Sequence, residues 1–365
     1  MIALWQHAPK KPAATDIPSG AVSRKSATFE SSLARRSLRV PPRHPLNIVS
    51  QQTSSPEFGV DGAFAHAEIC AGLRLPQAEI SPKYFYDPLG SKLFEAITQL
   101  PEYYPTRTER GILDRHALEI ARAVGEGSTL IDLGAGNCEK ARRLLPQLHP
   151  AQYVAVDVSA EFLRGALAEL ARAFPGISML ALGMDFSASL DLPRSVRGDK
   201  RLFFYPGSSI GNFTPAAALA FLSRIRSQCD GGGGLLIGVD LVKPASILEP
   251  AYDDSLGVTA AFNLNVLNHL NRLIGADFSP GDWRHVARFD ADLSRIEMHL
   301  EARREISVSW PGGGRRFGAG ERIHTECSYK YELLQFRAML VRAGFRNIDA
   351  WTDERHWFAV CHATT

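Results

Sequence analysis

Thr129-Leu-Ile-Asp-Leu-Gly-Ala-Gly136 is the stretch on which the fold turns. Five residues of apolar, β-prone text run into a glycine-rich turn, and helix-compatible text follows. Glycines let a backbone turn tightly and approach a ligand closely, which is what a nucleotide-type site at the end of a parallel strand requires. The next apolar run, Tyr153–Val158, carries Asp157 near its end, about 20 residues after the turn, where a carboxylate can accept from both hydroxyls of a ribose.

A dinucleotide-binding dehydrogenase has the same layout, and the two are separated at the third residue after Gly136. That residue is Glu139, whose charge stands where a pyrophosphate needs a helix N-terminus free of carboxylates. S-adenosylmethionine has no phosphate and carries an ammonium and a sulfonium, so acidic neighbours suit it. A third strand ends in Met184-Asp185-Phe186. There Asp185 can accept from an adenine amino group and Phe186 can stack on the base, although Asp185 is equally suited to capping a helix. In doubly wound sheets ligands lie outside the carboxyl ends of the strands, where Gly134, Asp157 and Asp185 all stand.

Outward from this stretch, short apolar runs alternate with helical text. Thr129–Leu133, Tyr153–Val158, Ser178–Leu182, Arg201–Tyr205 and Leu235–Val239 read as strands, with helices such as Ala160–Ala173 and Ala216–Ser227 between them. Helical text over Lys330–Ala343 and two strands, Asn347–Thr352 and Trp357–His362, close the chain. The expected fold is α/β: a Rossmann-like, class I methyltransferase domain with a doubly wound, mostly parallel sheet and an antiparallel edge strand. The rhythm lapses between about Pro244 and Cys327, which predicts a smaller substrate-binding lobe. Its expected limits are 61–110 and 244–328, with the S-adenosylmethionine domain over 111–243 and 329–365. Residues 1–60 are rich in Pro, Ser and Arg and read as a disordered basic extension.

A chain of 365 residues that is 45% hydrophobic can bury a core large enough for two lobes, and a formal net charge of +2 gives no general reason to expect nucleic acid as a partner. The five cysteines are scattered and form no CxxC pair, which argues against a disulfide framework and against zinc; no metal is expected. No apolar run reaches the roughly 20 residues of a membrane span, and the first residues lack a secretory apolar segment. A cytoplasmic, monomeric enzyme acting on a small molecule, away from membranes, is the expectation.

The strand exit Gly207-Ser-Ser-Ile-Gly-Asn212-Phe-Thr-Pro is rich in small and polar residues, and its Asn212 is either a ligand contact or a turn residue. Several strings resemble the histidine Nα-methyltransferases of ergothioneine biosynthesis: Lys83-Tyr-Phe-Tyr-Asp-Pro-Leu-Gly-Ser-Lys-Leu-Phe, Leu100-Pro-Glu-Tyr-Tyr-Pro-Thr-Arg, Asp132-Leu-Gly-Ala-Gly-Asn-Cys-Glu-Lys140, the Gly207 string, Ala251-Tyr-Asp-Asp-Ser-Leu-Gly-Val-Thr and Thr325-Glu-Cys-Ser-Tyr-Lys-Tyr. The likeness runs in order from about residue 75 to the C-terminus. It implies cofactor contacts at Gly134, Lys140, Asp157, Asp185 and Phe186, with Gly136 in the same turn. It implies that Tyr103, Asn212 and Tyr252 hold the amino-acid backbone and act in catalysis, that Glu326 and Ser328 contact the imidazole, and that Met298 shapes that pocket. It also implies three rounds of methylation to the trimethylated betaine.

The chemistry of the last pair is sensible on its own terms. A neutral imidazole offers one donor and one acceptor, and a carboxylate and a hydroxyl two residues apart on a strand face one way. Without the resemblance, an exposed strand face is the simpler account of Glu326 and Ser328. Aromatic faces such as Tyr103 and Tyr104 suit an amine that gains positive charge. Rival accounts are the same transfer to another aromatic or imidazole-containing amino acid, and a non-catalytic module that binds S-adenosylmethionine and a metabolite.

Overall fold

A computed structural model describes residues 62–158, 160–229 and 231–365; the extension expected over residues 1–60 lies outside the described residues. A seven-stranded sheet has the order Arg346–Thr352, Phe358–Thr364, Gly234–Asp240, Arg201–Tyr205, Thr129–Leu133, Gln152–Asp157, Ser178–Gly183. The five strands from Thr129–Leu133 to Gly234–Asp240 pair in parallel. Phe358–Thr364 runs antiparallel against Gly234–Asp240 and against Arg346–Thr352. The reversed strand thus lies one place in from the edge, and the edge strand itself points with the parallel set.

Every residue of Thr129–Leu133 is buried, as expected of a parallel strand covered on both faces. Successive side chains enter opposite layers: Ile131 and Leu133 join Phe203, Phe221 and Phe336 on one side, while Leu130 joins Leu144, Leu167 and Phe358 on the other. The helices that fill these layers start where local chemistry directs. The Thr214 hydroxyl accepts from Ala217 N–H ahead of Pro215–Gln228, and Pro215 supplies a first-turn residue with no amide hydrogen to satisfy.

A third apolar cluster, containing Phe85, Phe262, Trp283 and Phe317, belongs to the segment that precedes this domain in sequence and to the one inserted between Gly234–Asp240 and its last two strands. A four-stranded sheet with the order Ala78–Glu79, Arg322–Tyr329, Arg295–Ala302, Trp283–Asp290 is packed by Val258–Ile274, and the hairpin of Ile306–Trp310 and Gly313–Phe317 lies beyond it. Trp283–Asp290 and Gly313–Phe317 were not legible as strands. The first is a half-buried outer strand with three Arg or His residues, and the second opens on two glycines. Helix Tyr104–Val124 runs unbroken through residue 110, so it carries Tyr104 in the third cluster and Ile112 and Ile120 in the sheet's core.

Candidate active site

A cavity of about 360 Å³ opens at the carboxyl ends of the parallel strands, lined by Gly134, Gly136, Lys140, Asp157, Asp185, Phe186, Tyr103 and Asn212 among others. Gly134 takes φ +72°, a left-handed conformation that side-chain-bearing residues avoid, and the turn directs Gly136 N–H at the Asp157 carboxylate, 3.0 Å away. The helix Glu139–Leu148 begins immediately beyond. Glu139 itself pairs with Arg110 and Arg143, each close to 3 Å away.

Lys140 reaches Glu109 at 2.7 Å, and Glu109, only 1% exposed, also accepts the Gly207 amide hydrogen at 2.8 Å. One buried carboxylate therefore ties the glycine turn's helix to the strand exit that bears Asn212. Asp132, at the end of its strand, receives the Tyr153 hydroxyl at 2.8 Å on one oxygen, and its other oxygen is buried without a protein partner. Burial pushes Asp132 up to about 7, with Tyr153 and Lys140 opposing. A buried, unmatched carboxylate at the cavity wall fits the ammonium of S-adenosylmethionine. Asp185 accepts from the Ser187 amide and hydroxyl with one oxygen, and turns the other to Lys83 at 3.6 Å. No helix follows Asp185, so these bonds close a turn and cap nothing, and Asp185 lines the cavity beside Phe186, which packs on Tyr205 and Phe221.

Tyr103 stands just before helix Tyr104–Val124, its ring edge-on to Tyr252 with centroids 6.3 Å apart. Tyr252 is held through its carbonyl, which accepts from His285 at 2.8 Å, and His285 is fixed in turn by Asn263. Asn212 ends the short helix Ser209–Asn212. Thr214, not Asn212, caps the following helix; Asn212 sits in a tight turn and lines the cavity, and its amide makes no side-chain hydrogen bond to any described residue. Gly211 lets that short helix press on strand Arg322–Tyr329: a Cβ there would lie 2.8 Å from the Tyr329 carbonyl oxygen.

The strand carrying Glu326 and Ser328 contains an irregularity. His324 pairs with His299 and Glu326 with Met298, so Thr325 is an extra residue, with its hydroxyl donating to the Met298 carbonyl at 3.0 Å. The bulge changes the phase of the strand. Glu326 and Ser328 join the buried face, and Cys327 turns out to meet His324 at 3.2 Å. The exposed-face account of Glu326 and Ser328 is therefore wrong: they are 9% and 4% exposed. No described side chain donates to the Glu326 carboxylate, and burial pushes it up to about 7 against the pull of Lys330.

Beneath these residues lies a cluster of buried charge. Asp240, which burial would raise and Lys330 and Lys243 hold low, accepts from Lys243 at 2.6 Å, from Lys330 at 2.8 Å and from the Tyr104 hydroxyl at 2.7 Å. Tyr104, expected as an aromatic wall for the substrate, is spent here, with its ring beneath Lys243, and it does not line the cavity. Tyr86 lines it instead, packed on Phe94 and Phe262. Burial raises the Tyr103 and Tyr252 phenols well above their ordinary values, which keeps both hydroxyls protonated.

The structure thus gathers every cofactor residue expected from the sequence, with Tyr103 and Asn212, around one cavity. Tyr252, Met298, Glu326 and Ser328 form a buried group next to it, joined through the Tyr103–Tyr252 contact. Sequence pattern alone does not mark Asp132, Glu109, Tyr86 or Lys330 as site residues. Asp132 was the most accessible, being the acidic residue at the end of the deciding strand; Glu109 gains its meaning only once its helix is packed.

The model of a family described as histidine-specific, S-adenosylmethionine-dependent methyltransferases matches residues 65–365. The histidine N-alpha-methyltransferase of Mycolicibacterium smegmatis is 43% identical over 292 residues, covering 78% of this chain and 90% of that protein. That of Mycobacterium tuberculosis is 41% identical over 294 residues, covering 79% and 90%. Ergothioneine biosynthesis protein 1 of Neurospora crassa is 30% identical over 347 residues, covering 90% of this chain and 39% of that longer protein.

Proposed function

The chain belongs to the histidine-specific, S-adenosylmethionine-dependent methyltransferase family, and from that premise we propose that it methylates the α-amino group of L-histidine, three times in succession, to the trimethylated betaine. The observation that carries the choice of acceptor is the buried pair Glu326 and Ser328, which share one face of their strand and are turned to its buried side by the Thr325 bulge. Glu326 takes a ring N–H and Ser328 serves the other ring nitrogen. A pocket of this kind leaves its polar groups unpaired with phenylalanine, which is therefore a poor substrate.

Gly134, Gly136, Asp132, Lys140, Asp157, Asp185 and Phe186 are the residues to hold S-adenosylmethionine, which when bound supplies an electrophilic methyl group to a neutral amine. Tyr103, Asn212 and Tyr252 hold the α-amino and carboxylate groups, so that bound geometry replaces a bimolecular encounter. The tyrosines do so as neutral phenols, and an α-ammonium loses its proton to water near neutral pH without a dedicated base. Met298, paired with Glu326 across the small sheet, closes the ring pocket. Segments 61–110 and 244–328 are assigned as the substrate lobe, and 111–243 with 329–365 as the cofactor domain. Among the described residues no helix is long and apolar enough to cross a membrane. Cys70, Cys138, Cys327 and Cys361 are free thiols, which suits a cytoplasmic enzyme, and the residues assigned to the site all come from one chain, which suits a monomer.

The test is incubation with labelled S-adenosylmethionine and each common amino acid, with products weighed. Histidine carrying one, two and then three methyl groups is the expected result; preferential labelling of tryptophan or phenylalanine would refute the assignment.

A further inference from the structure

Lys330 is 3% exposed, stands two residues beyond Ser328, and takes no part in the chemistry above. An ammonium has three hydrogens to donate, and all three of this one are assigned. They go to Asp240 at 2.8 Å, to the Tyr252 hydroxyl oxygen at 2.9 Å and to the Ser328 hydroxyl oxygen at 2.8 Å. The two hydroxyl oxygens are themselves 2.8 Å apart, within hydrogen-bond distance of each other.

The count of protons follows from these four contacts. Each hydroxyl spends one acceptor site on Lys330, and the bond between the hydroxyls uses one of their two protons. One proton is left for a ligand, on either Ser328 or Tyr252. A ring that gives its N–H to Glu326 and turns a lone pair to Ser328 draws that proton to Ser328. Tyr252 then donates to Ser328, and the free side of its oxygen becomes an acceptor, suited to an N–H of the substrate amine.

We infer that Lys330, anchored by Asp240, is a positioning residue that donates to both the Tyr252 and Ser328 hydroxyls and accepts from neither, and so leaves their spare proton to the ligand, makes the pocket demand a ring lone pair and links that demand to the orientation of the amine. The inference rests on the assignment of Glu326 and Ser328 as the ring contacts. An acceptor in place of Lys330 takes the spare proton, so that a ring lone pair is no longer needed to keep the hydroxyls satisfied, whereas an apolar residue leaves that proton over, because turning the Ser328 proton to Tyr252 only releases the Tyr252 proton.

The experiment compares kcat and KM for histidine and for the two pyrrolylalanines, each of which keeps one ring N–H and puts C–H in place of the other nitrogen. In the wild-type protein histidine is favoured over the better pyrrolylalanine by about 10- to 100-fold in kcat/KM, the cost of an unpaired buried hydroxyl. In Lys330→Gln that ratio falls to about threefold or less, because the spare hydroxyl proton finds an acceptor in the amide oxygen. Either substitution leaves Asp240 with Lys243 and Tyr104, so its carboxylate is not orphaned. Lys330→Met, which offers no acceptor, keeps the wild-type ratio. A ratio unchanged from wild type in Lys330→Gln, with both substrates slowed alike, or one that falls as far in Lys330→Met, would overturn the inference and leave Lys330 a structural residue. Failure of the wild-type protein to methylate histidine would instead remove the assignment of acceptor on which it rests.

Discussion

Glu326→Gln is expected to make the ligand-free protein more stable and the enzyme worse, with the gain in stability growing as pH rises. Glu326 is 9% exposed, has no described donor, and its carboxyl is raised from the ordinary 4.5 to about 7. For a carboxyl raised on folding, the associated stability is full below the unfolded value and is lost as pH rises through the folded value. From about pH 5.5 to about pH 7 the loss spans 1.5 pH units, which at about 1.36 kcal/mol each comes to roughly 2 kcal/mol, complete by about pH 8.5. Glutamine does not ionise and avoids that loss. For about 300 ordered residues the difference corresponds to roughly 3 °C in Tm. The assay is thermal unfolding of both proteins without ligands at several pH values. Asp132, raised to about 7 in both, cancels in the comparison. A Tm difference that stays constant or shrinks between these pH values would refute the reasoning. At about pH 8 the same variant loses on the order of tenfold in kcat/KM for histidine, as a charge-assisted hydrogen bond becomes a neutral one.

Asn212→Ala, on its proposed assignment to the acceptor side, should lower kcat/KM for histidine by about 10- to 100-fold while leaving S-adenosylmethionine affinity by calorimetry within about twofold. Asp157→Ala should do the converse, weakening cofactor binding about tenfold or more through loss of a carboxylate and of the Gly136 contact. Glu109→Gln removes the buried partner of Lys140, and weaker S-adenosylmethionine binding with a Tm lowered by several degrees is expected. Gly211→Ala should fold poorly or lose activity, because its Cβ meets the Tyr329 backbone and no flexible side chain can yield.

The sheet was legible because buried parallel strands are unbroken apolar runs: Arg201–Tyr205 and helix Ala160–Ala173 have the bounds expected from pattern alone. Trp283–Asp290 was not, since an outer strand with one wet face shares its composition with a loop. At the site, Gly134, Asp157 and Asp185 are readable because each sits at a strand end that the sequence announces. Glu326 and Ser328 are different. Spacing of two places them on a common face but does not say which face, and the answer depends on a one-residue bulge at Thr325 with no composition signal. Glu109 and Lys330 acquire partners 31 and 90 positions away in sequence, at Lys140 and Asp240, and no local pattern records such pairings.

Helix Tyr104–Val124 has a consequence for how the reaction distance is kept. Tyr103 precedes its first turn, and Glu109, the clamp on Lys140 and Gly207, follows six residues later, a rise of about 9 Å. Both half-sites are thus graduated along one rod, with no joint between the residue that would hold the amine and the residue that braces the cofactor turn. On the proposed assignments, the spacing between methyl donor and acceptor is inherited from helix pitch, and each successive methylation meets the same ruler.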